Sequence, residues 1–307
     1  MEKAELHIHL EGAVNLATIQ KIARRKKMPR PGDGFYPNSH YQNFEGFTRV
    51  FENVLAYFTS EADFFDLGYD FAEHQAKQNI VYTEAYLMPH VHEMMGRDIK
   101  AVLEGLDKGL AAGEKDFGIK VRLIYSVSRM MGAQAAWATL DYIDKYPIRR
   151  VVGIDLAGME VKDSILPFEA PFEKARQMGL LTIAHSGEFS GADHVRHTLD
   201  ILKPSRIGHG IGCCEDGSLV RRLVEENIPL DISISSNVSL HAVSSLEAHP
   251  VRRLFDQGVK LTLNTDDPAL FKTSLTDQYE MLMTYFSFSR KEILQLVRNA
   301  FVFSCNH

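Results

Sequence analysis

The sequence predicts an α/β protein, a closed (β/α)8 TIM barrel with an insertion after its first strand. Its 307 residues suit one barrel domain, which typically needs about 250 residues. Short β-rich runs alternate with stretches long enough for a helix, and several runs are nearly continuous in Val, Ile and Leu. Such runs are typical of parallel strands that are buried on both faces. We therefore expect a single barrel domain over residues 1–307.

Eight predicted strands alternate with helical patterns along most of the chain. The strands are Glu5–His9, Ile80–Leu87, Lys120–Ser126, Arg150–Leu156, Leu181–His185, Arg206–His209, Pro229–Ser235 and Lys260–Thr265. The helical patterns are Asp98–Asp116, Ala133–Tyr146, Phe168–Met178, His194–Leu202, Ser218–Glu226 and Val251–Gln257. A doubly wound open sheet is the alternative, but no glycine-rich phosphate loop follows the first strand. The last helical run opens with a capping box, Ser289-x-x-Glu292.

The segment from about Met28 to Phe65 interrupts this alternation. It begins with prolines and glycines and then places Phe44, Phe47 and Phe51 at i, i+3 and i+7. An insertion after the first strand lies over the barrel mouth, so we predict a lid whose Phe44 and Phe47 contact the substrate. A helix that only packs against the barrel is the alternative.

Composition and charge indicate a small-molecule substrate. The net charge is −6, and the sequence lacks the clustered positive charge that nucleic-acid binding requires. No apolar run approaches about 18 residues and no signal peptide opens the sequence, so neither a membrane span nor secretion is expected. The three cysteines form no C-x-x-C pair, which indicates a reducing compartment and argues against a cysteine-ligated metal. We expect a cytoplasmic protein.

Polar residues concentrate where the predicted strands end, and this is the end at which (β/α)8 barrels carry their catalytic groups. His7 and His9 are two apart and so point to the same side of the first strand. His185 ends the fifth strand, His209 ends the sixth, and Asp266 follows the eighth. Catalytic zinc sites use imidazole and carboxylate ligands and leave one position for water. One zinc ion is therefore predicted, held by His7, His9, His185 and Asp266.

Each of these residues has another explanation when taken alone. A histidine pair on a strand or a lone histidine is often structural, and Asp266-Asp267-Pro268 could be only a turn. Because all of these residues lie at strand ends, a functional site is favoured over the separate structural explanations. A second pair, His90 and His92, follows Pro89 beyond the second strand, and we interpret it as a loop and not as a metal site.

Five motifs resemble those of the adenosine deaminase family of metal-dependent amidohydrolases, in the family's order and over nearly the whole chain. They are E-L-H-I-H-L-E-G at 5–12, D-L-A-G at 155–158, A-H-S-G-E at 184–188, R-I-G-H-G at 206–210 and N-T-D-D-P at 264–268. The resemblance implies the same four zinc ligands and the hydrolytic deamination of a 6-aminopurine. Binuclear members of the superfamily need a bridging lysine at the fourth strand end, where this chain has D-L-A-G, so one metal ion is expected.

The resemblance also implies roles for four further residues. Glu188 handles the proton at purine N1, and His209 orients or deprotonates the attacking water. Asp267 bonds that water and purine N7, while the backbone N–H of Gly158 meets N3. These roles agree with the chemistry, since zinc lowers the pKa of water to about 7 and a desolvated carboxylic acid can protonate the ring as charge develops.

The substrate is expected to be a nucleoside similar to adenosine, because D-L-A-G is adenosine-like. Family members that act on adenosine usually carry Asp, which bonds the ribose, where this chain has Glu11. Ser235-Ser236-Asn237 is more similar to members that act on free adenine or aminodeoxyfutalosine, which are the alternatives. A hydrolase of cyclic amides or phosphoesters is disfavoured by the missing bridging lysine. A metal-binding barrel without catalysis is disfavoured by the complete ligand set.

Overall fold

Eight parallel strands, hydrogen-bonded to one another in chain order, form a nearly closed barrel. They are β1 (Lys3–His9), β2 (Ile80–Leu87), β3 (Lys120–Ser128), β4 (Val151–Ala157), β5 (Leu181–Ser186), β6 (Arg206–His209), β7 (Leu230–Ile232) and β8 (Leu261–Leu263). The computed structural model describes residues 1–36, 41–160 and 165–305. The TIM barrel predicted from the strand–helix alternation is confirmed.

Helices cover the outside of the barrel and connect successive strands. In the described ranges they are α1 (Leu16–Lys26), α2 (Phe44–Leu55), α3 (Glu61–Lys77), α4 (Pro89–Met94), α5 (Ile99–Phe117), α6 (Ala133–Lys145), α7 (Glu169–Gln177), α8 (Ala192–Ile201), α9 (Gly217–Glu225), α10 (Ile234–Ser239), α11 (Val251–Asp256), α12 (Pro268–Phe271), α13 (Leu275–Tyr285) and α14 (Arg290–Val302). All the helices predicted between strands are present, with small shifts at their ends. No helix in these ranges has the length and apolarity needed to cross a membrane.

Local sequence explains where several helices begin and end. The side chain of Asp98 accepts a hydrogen bond from the Lys100 backbone and so caps the start of α5. The capping box predicted at Ser289 is confirmed at the start of α14. The histidines of His90-Val91-His92 lie in α4, so the loop interpretation is wrong. Proline suits the first position of a helix, and Pro89 starts α4.

The last two strands are shorter than predicted. The prediction for β7 ran to Ser235, but the chain turns into α10 from Ile234. The prediction for β8 ran to Thr265, but regular pairing ends at Leu263. Beyond that point the chain pairs through side chains and a single bridge instead of a continuous ladder.

Asn264 and Asp266 close the barrel between β8 and β1. The side-chain oxygen of Asn264 accepts hydrogen bonds from the backbone N–H groups of Leu6 at 2.8 Å and His7 at 3.0 Å. The backbone N–H of Asp266 donates to the His7 carbonyl at 3.1 Å, and its carbonyl accepts from the His9 N–H at 2.8 Å. These bonds satisfy buried polar groups that have no ladder partner. They also fix Asp266 directly beside the two histidines of β1.

We predict that Asn264→Ala destabilises the fold strongly. It leaves the buried N–H groups of Leu6 and His7 without an acceptor, and the expected loss in free energy of unfolding is about 2–4 kcal/mol. Denaturant unfolding followed by circular dichroism measures this loss. Asn299→Ala is the control, because the Asn299 side chain donates one part-buried bond to the Leu261 carbonyl. Equal losses in the two variants would contradict a special role for Asn264.

Candidate active site and metal centre

The barrel mouth collects the polar residues that end the strands. His7 and His9 lie on β1, His185 on β5 and His209 at the end of β6, and Asp266 follows β8. The His7 ring centroid lies 4.5 Å from that of His185 and 5.1 Å from that of His209. All five side chains are buried. The structure thus brings together the residues that the strand ends predicted.

Two overlapping groups of these side chains could hold a metal ion, and within each group the ligand atoms lie within 4.8 Å of one another. The first group is His7, His185, His209 and Asp266, and the second is His9, Asp266 and Asp267. Asp266 belongs to both groups, since its Oδ1 lies 3.6 Å from His7 Nε2 and 3.3 Å from His9 Nε2. All four predicted ligands therefore fall in two groups that Asp266 connects.

The ring nitrogens of His7 are the strongest sign that this centre fits a metal ion. Both are buried, and neither has a hydrogen-bond partner among the described residues. Such atoms are costly, and ligation would satisfy one of them. Burial lowers the pKa of His7, which keeps the ring neutral, as ligation requires. The donor set of imidazoles and a carboxylate suits a divalent ion such as zinc.

Asp155 orients the ring of His185 by a hydrogen bond to its Nδ1. The Nδ1 of His185 lies 3.0 Å from Asp155 Oδ1, and Asp155 Oδ2 accepts a hydrogen bond from Ser126 at 2.8 Å. Burial alone would raise the pKa of Asp155, but the charge and hydrogen bond of His185 outweigh it and lower the pKa. This carboxylate–histidine pair leaves Nε2 for a metal ion. This role of Asp155 is not predicted from the sequence motifs.

Glu188 follows β5 and lies in a buried carboxylate environment. Its backbone N–H and that of Gly187 donate to the two oxygens of Glu160, at 2.9 and 2.8 Å. Burial raises the pKa of Glu188 well above its ordinary value, and the negative charges of Asp266 and Glu160 raise it further. The protonated form of the side chain, which the predicted role at N1 requires, is thereby favoured.

A chain of hydrogen bonds through Asn237 fixes the orientation of His209. The Val251 backbone N–H donates to His249 Nδ1 at 3.2 Å, so His249 Nε2 carries the hydrogen and donates to Asn237 Oδ1 at 3.1 Å. The Asn237 amide nitrogen then donates to Glu188 Oε1 at 3.1 Å and to His209 Nδ1 at 3.0 Å. His209 Nε2 must consequently carry the hydrogen of the neutral ring.

This chain of hydrogen bonds is not predicted by the sequence. Ser235-Ser236-Asn237 was interpreted as a sign of substrate type, and His249 was given no role. Burial lowers the pKa of His249 to about 3, which keeps it neutral and preserves the direction of the chain. Ser236 has a separate task, because its hydroxyl donates to Asp266 Oδ2 at 2.6 Å and leaves Oδ1 facing the histidines.

Asp267 lies against Gly12, and no larger residue fits at position 12. A Cβ atom on Gly12 would lie 1.7 Å from Asp267 Oδ1. That oxygen is buried without a hydrogen-bond partner in the described part of the chain. Burial and the adjacent charge of Asp266 raise the pKa of Asp267 well above its ordinary value. The protonated form of the carboxyl group, which can donate a hydrogen bond, is thereby favoured.

Glu11 is fully buried in the 3-10 helix Glu11–Ala13, directly after β1. Its Oε1 accepts from the Met88 backbone N–H at 3.2 Å and lies 3.1 Å from His92 Nε2. Its Oε2 is buried and has no partner in residues 1–36, 41–160 or 165–305. Burial alone would raise the pKa of Glu11, but the hydrogen bond from His92 outweighs it and lowers the pKa. Glu11 is therefore an ionised acceptor beside Gly12 and Asp267.

Gly158 lies just beyond the end of β4, near the start of the next loop. Its φ of +94° is in the left-handed region, which favours glycine. A Cβ there would approach Ser128 Oγ at 3.4 Å. Arg129 steadies the same strand end by donating to the Leu156 carbonyl at 3.2 Å. The predicted contact between the Gly158 N–H and purine N3 stays a prediction.

Helix α2 packs onto loops at the barrel mouth. Phe44 lies 5.7 Å from Phe189, which follows Glu188, and Phe47 stacks on Phe271 of α12 at 5.5 Å, both measured between ring centroids. Phe51 lies against Phe47 at 6.0 Å. Residues 37–40 of the predicted lid fall outside the described residues. The position suits a lid, and closure over a substrate, with Phe44 and Phe47 as contacts, stays a prediction.

A cavity of about 770 Å³ opens beside Glu188. It runs between the loops that follow β5, β6 and β7, and its lining includes Phe189, His249 and Phe286. Glu188 lines this cavity, and its Oε2 lies 3.6 Å from Nε2 of His209 in the buried group.

Fold and site together define a hydrolase built on a (β/α)8 barrel, with a buried group of histidines and aspartates that could hold a metal ion. The sequence matches the model of one protein family, adenosine deaminase, over residues 2–306. This chain belongs to the adenosine deaminase family. It is a hydrolase that acts on C–N bonds of cyclic amidines, and its reaction is the hydrolytic deamination of an aminopurine.

Individual relatives agree with this assignment. Adenine deaminase of Sinorhizobium medicae is 35% identical over 303 residues, covering 98% of this chain and 93% of that protein. The crystal structure of adenine deaminase from Arthrobacter aurescens has a TM-score of 0.93 and 31% identity, and the match covers 99% and 94% of the two chains. An amidohydrolase from Burkholderia ambifaria with bound zinc has a TM-score of 0.90 and 26% identity, with coverage of 99% and 85%.

We predict that Asp155→Asn weakens metal retention without changing the number of ions bound. The amide removes the negative charge behind His185, and such changes typically cost about 10–100-fold in metal affinity. Elemental analysis should find one zinc ion per chain in both proteins, and competition with a chelator should separate their affinities. Asp200→Asn, on the exposed face of α8, is the control and should match the wild type. An unchanged affinity in Asp155→Asn would contradict this role.

Proposed function

We propose that this protein removes the 6-amino group of free adenine by hydrolysis, giving hypoxanthine and ammonia, with one zinc ion at the barrel mouth. Relatives at 35% and 31% identity are named adenine deaminases. The sequence motifs favoured a nucleoside, and free adenine is the alternative that these relatives support better. The related amidohydrolase with bound zinc supports the choice of metal.

The unpartnered oxygen of Glu11 is the observation that carries the choice of free adenine. Oε1 has two donors, whereas the buried Oε2 has none within the described ranges. A ligand that brings an N–H group to Oε2 relieves the cost of this unpaired acceptor. Free adenine has such a group at N9, the nitrogen on which a nucleoside carries its sugar. Glu11 therefore favours the free base.

Glu11 and Asp267 together match the imidazole edge of adenine. The lowered pKa of Glu11 makes it an acceptor for the N9–H, and the raised pKa of Asp267 makes it a donor to N7. Gly12 holds the two carboxyl groups close, because it lies beside Glu11 in the chain and against Asp267 in space. The Gly158 N–H, at the end of β4, would meet N3. Opposite protonation states of the two carboxyl groups would thus select one orientation of the ring.

The reaction requires a nucleophile at C6 and a proton at N1. Zinc in such a site supplies a water whose pKa is lowered to about 7, and hence a nucleophile at neutral pH. Glu188 would protonate N1 in this proposal, and the hydrogen bond from Asn237 to its Oε1 supports that role because it leaves Oε2 to carry the proton. His209 donates from Nε2 and so orients the attacking water, which is one of its two predicted roles. The ammonia then leaves from the C6 that carries the new oxygen.

The preference for free adenine can be tested by a spectrophotometric screen of the zinc-loaded protein. We expect kcat/KM for adenine to exceed that for adenosine, deoxyadenosine and aminodeoxyfutalosine by at least about 100-fold. A site that hydrogen-bonds a substrate N–H discriminates strongly against analogues that lack it. Faster turnover of adenosine than of adenine would overturn the proposed substrate and leave the deaminase assignment intact.

We predict that Glu188→Gln abolishes most turnover while the protein retains its metal. A glutamine cannot deliver a proton to N1, and a general acid typically contributes about 10²–10⁴-fold in rate. Steady-state kinetics with adenine and elemental analysis measure the two properties. Glu215→Gln is the control, since Glu215 lines the same cavity further out. Activity of Glu188→Gln within about tenfold of the wild type would show that this carboxyl is not the acid.

A further inference from the structure

His92 and Arg97 form a buried chain behind Glu11. The ring of His92 is fully buried, and its Nε2 lies 3.1 Å from Glu11 Oε1. Its Nδ1 contacts a terminal nitrogen of Arg97, whose other terminal nitrogen donates to the Leu55 carbonyl. The chain therefore runs from the end of α2, through Arg97 and His92, to the carboxylate at the barrel mouth.

The hydrogen bonds between Arg97, His92 and Glu11 can run in only one direction. A guanidinium group has N–H donors and no acceptor, so His92 Nδ1 must accept from Arg97. The hydrogen of the neutral imidazole then resides on Nε2 and is donated to Glu11 Oε1. The Leu55 carbonyl at the C-terminal end of α2 anchors this chain of hydrogen bonds, and it also accepts from the Phe58 backbone N–H at 3.1 Å.

Packing holds the ring of His92 in this orientation. The Phe64 ring meets it edge to face, with the centroids 4.9 Å apart. Burial lowers the pKa of His92, so a neutral imidazole separates the Arg97 cation from the Glu11 anion. With the Met88 N–H as a second donor, Oε1 is occupied and Oε2 is the oxygen left for a ligand.

We propose that His92 and Arg97 are positioning residues that present Glu11 Oε2 as an acceptor to the ring N–H of adenine, and so set the selectivity against purines substituted at N9. The inference rests on the proposed function. His92 does not touch the substrate in this arrangement and acts through Glu11. Without its donor, Glu11 Oε1 would seek another partner and the carboxylate would lose its fixed direction.

The test compares adenine with 9-methyladenine, which has the same reacting centre but no N9–H. In His92→Phe we expect the ratio of kcat/KM for adenine to that for 9-methyladenine to fall about tenfold or more, mainly through a higher KM for adenine. His92→Gln retains a side-chain N–H and should restore most of the ratio. His90→Phe is the matched control, because His90 lies on the same helix and contacts Glu93 instead. It should keep the wild-type ratio.

Arg97→Met is a second variant for this test, and it leaves His92 in place. We expect it also to lower the ratio of kcat/KM for adenine to that for 9-methyladenine. In the wild type, ¹⁵N spectra of labelled histidine should show His92 protonated at Nε2 and unprotonated at Nδ1. The opposite tautomer, or an unchanged ratio in both His92→Phe and Arg97→Met, overturns the inference while adenine turnover by the wild type upholds the function. Absence of adenine turnover in the wild type overturns both.

Discussion

The first and last strands meet where the Asp266 backbone bonds to His7 and His9, and this junction determines where the metal-binding side chains lie. Asp266 adopts a φ of +65°, a left-handed conformation that is unfavourable for aspartate and that the paired backbone maintains. Its side chain is thereby turned between the two histidines. Asn264 supplies the pairing that the short β8 lacks. Barrel closure therefore also brings together side chains that could hold a metal ion.

Around this junction, groups that can only donate hydrogen bonds determine the tautomers of histidines, whose ring nitrogens can either donate or accept. The Val251 N–H sets the tautomer of His249, and through Asn237 that of His209. Arg97 sets the tautomer of His92 in the same way. Buried polar networks of this kind specify one arrangement when every member is satisfied. Atoms of His7, Asp267 and Glu11 are buried without a partner among the described residues, and a metal ion or a ligand would satisfy them.

The sequence predicted the strands, the helices and the convergence of the ligands, because strand-end position is a local property that periodicity reveals. It did not predict the partners behind those ligands. Asp155 and His249 are separated from the groups they orient by turns of chain whose geometry only the folded barrel determines. The end of β8 was missed for the same reason, since a side chain, Asn264, replaces the backbone ladder there. The loop prediction for His92 was wrong because a helix of 6 residues is too short to show a period.

In the proposed complex, the residues for substrate choice and for the metal centre are neighbours in one segment. His9 faces the metal centre, Glu11 reads the ring edge in the proposed complex, and Gly12 admits Asp267. Because Glu11 is held from the opposite side, by His92 and the Met88 backbone, its direction can change without moving the groups around Asp266. A longer or shorter acid at position 11 with a different support behind it would then alter which purine binds.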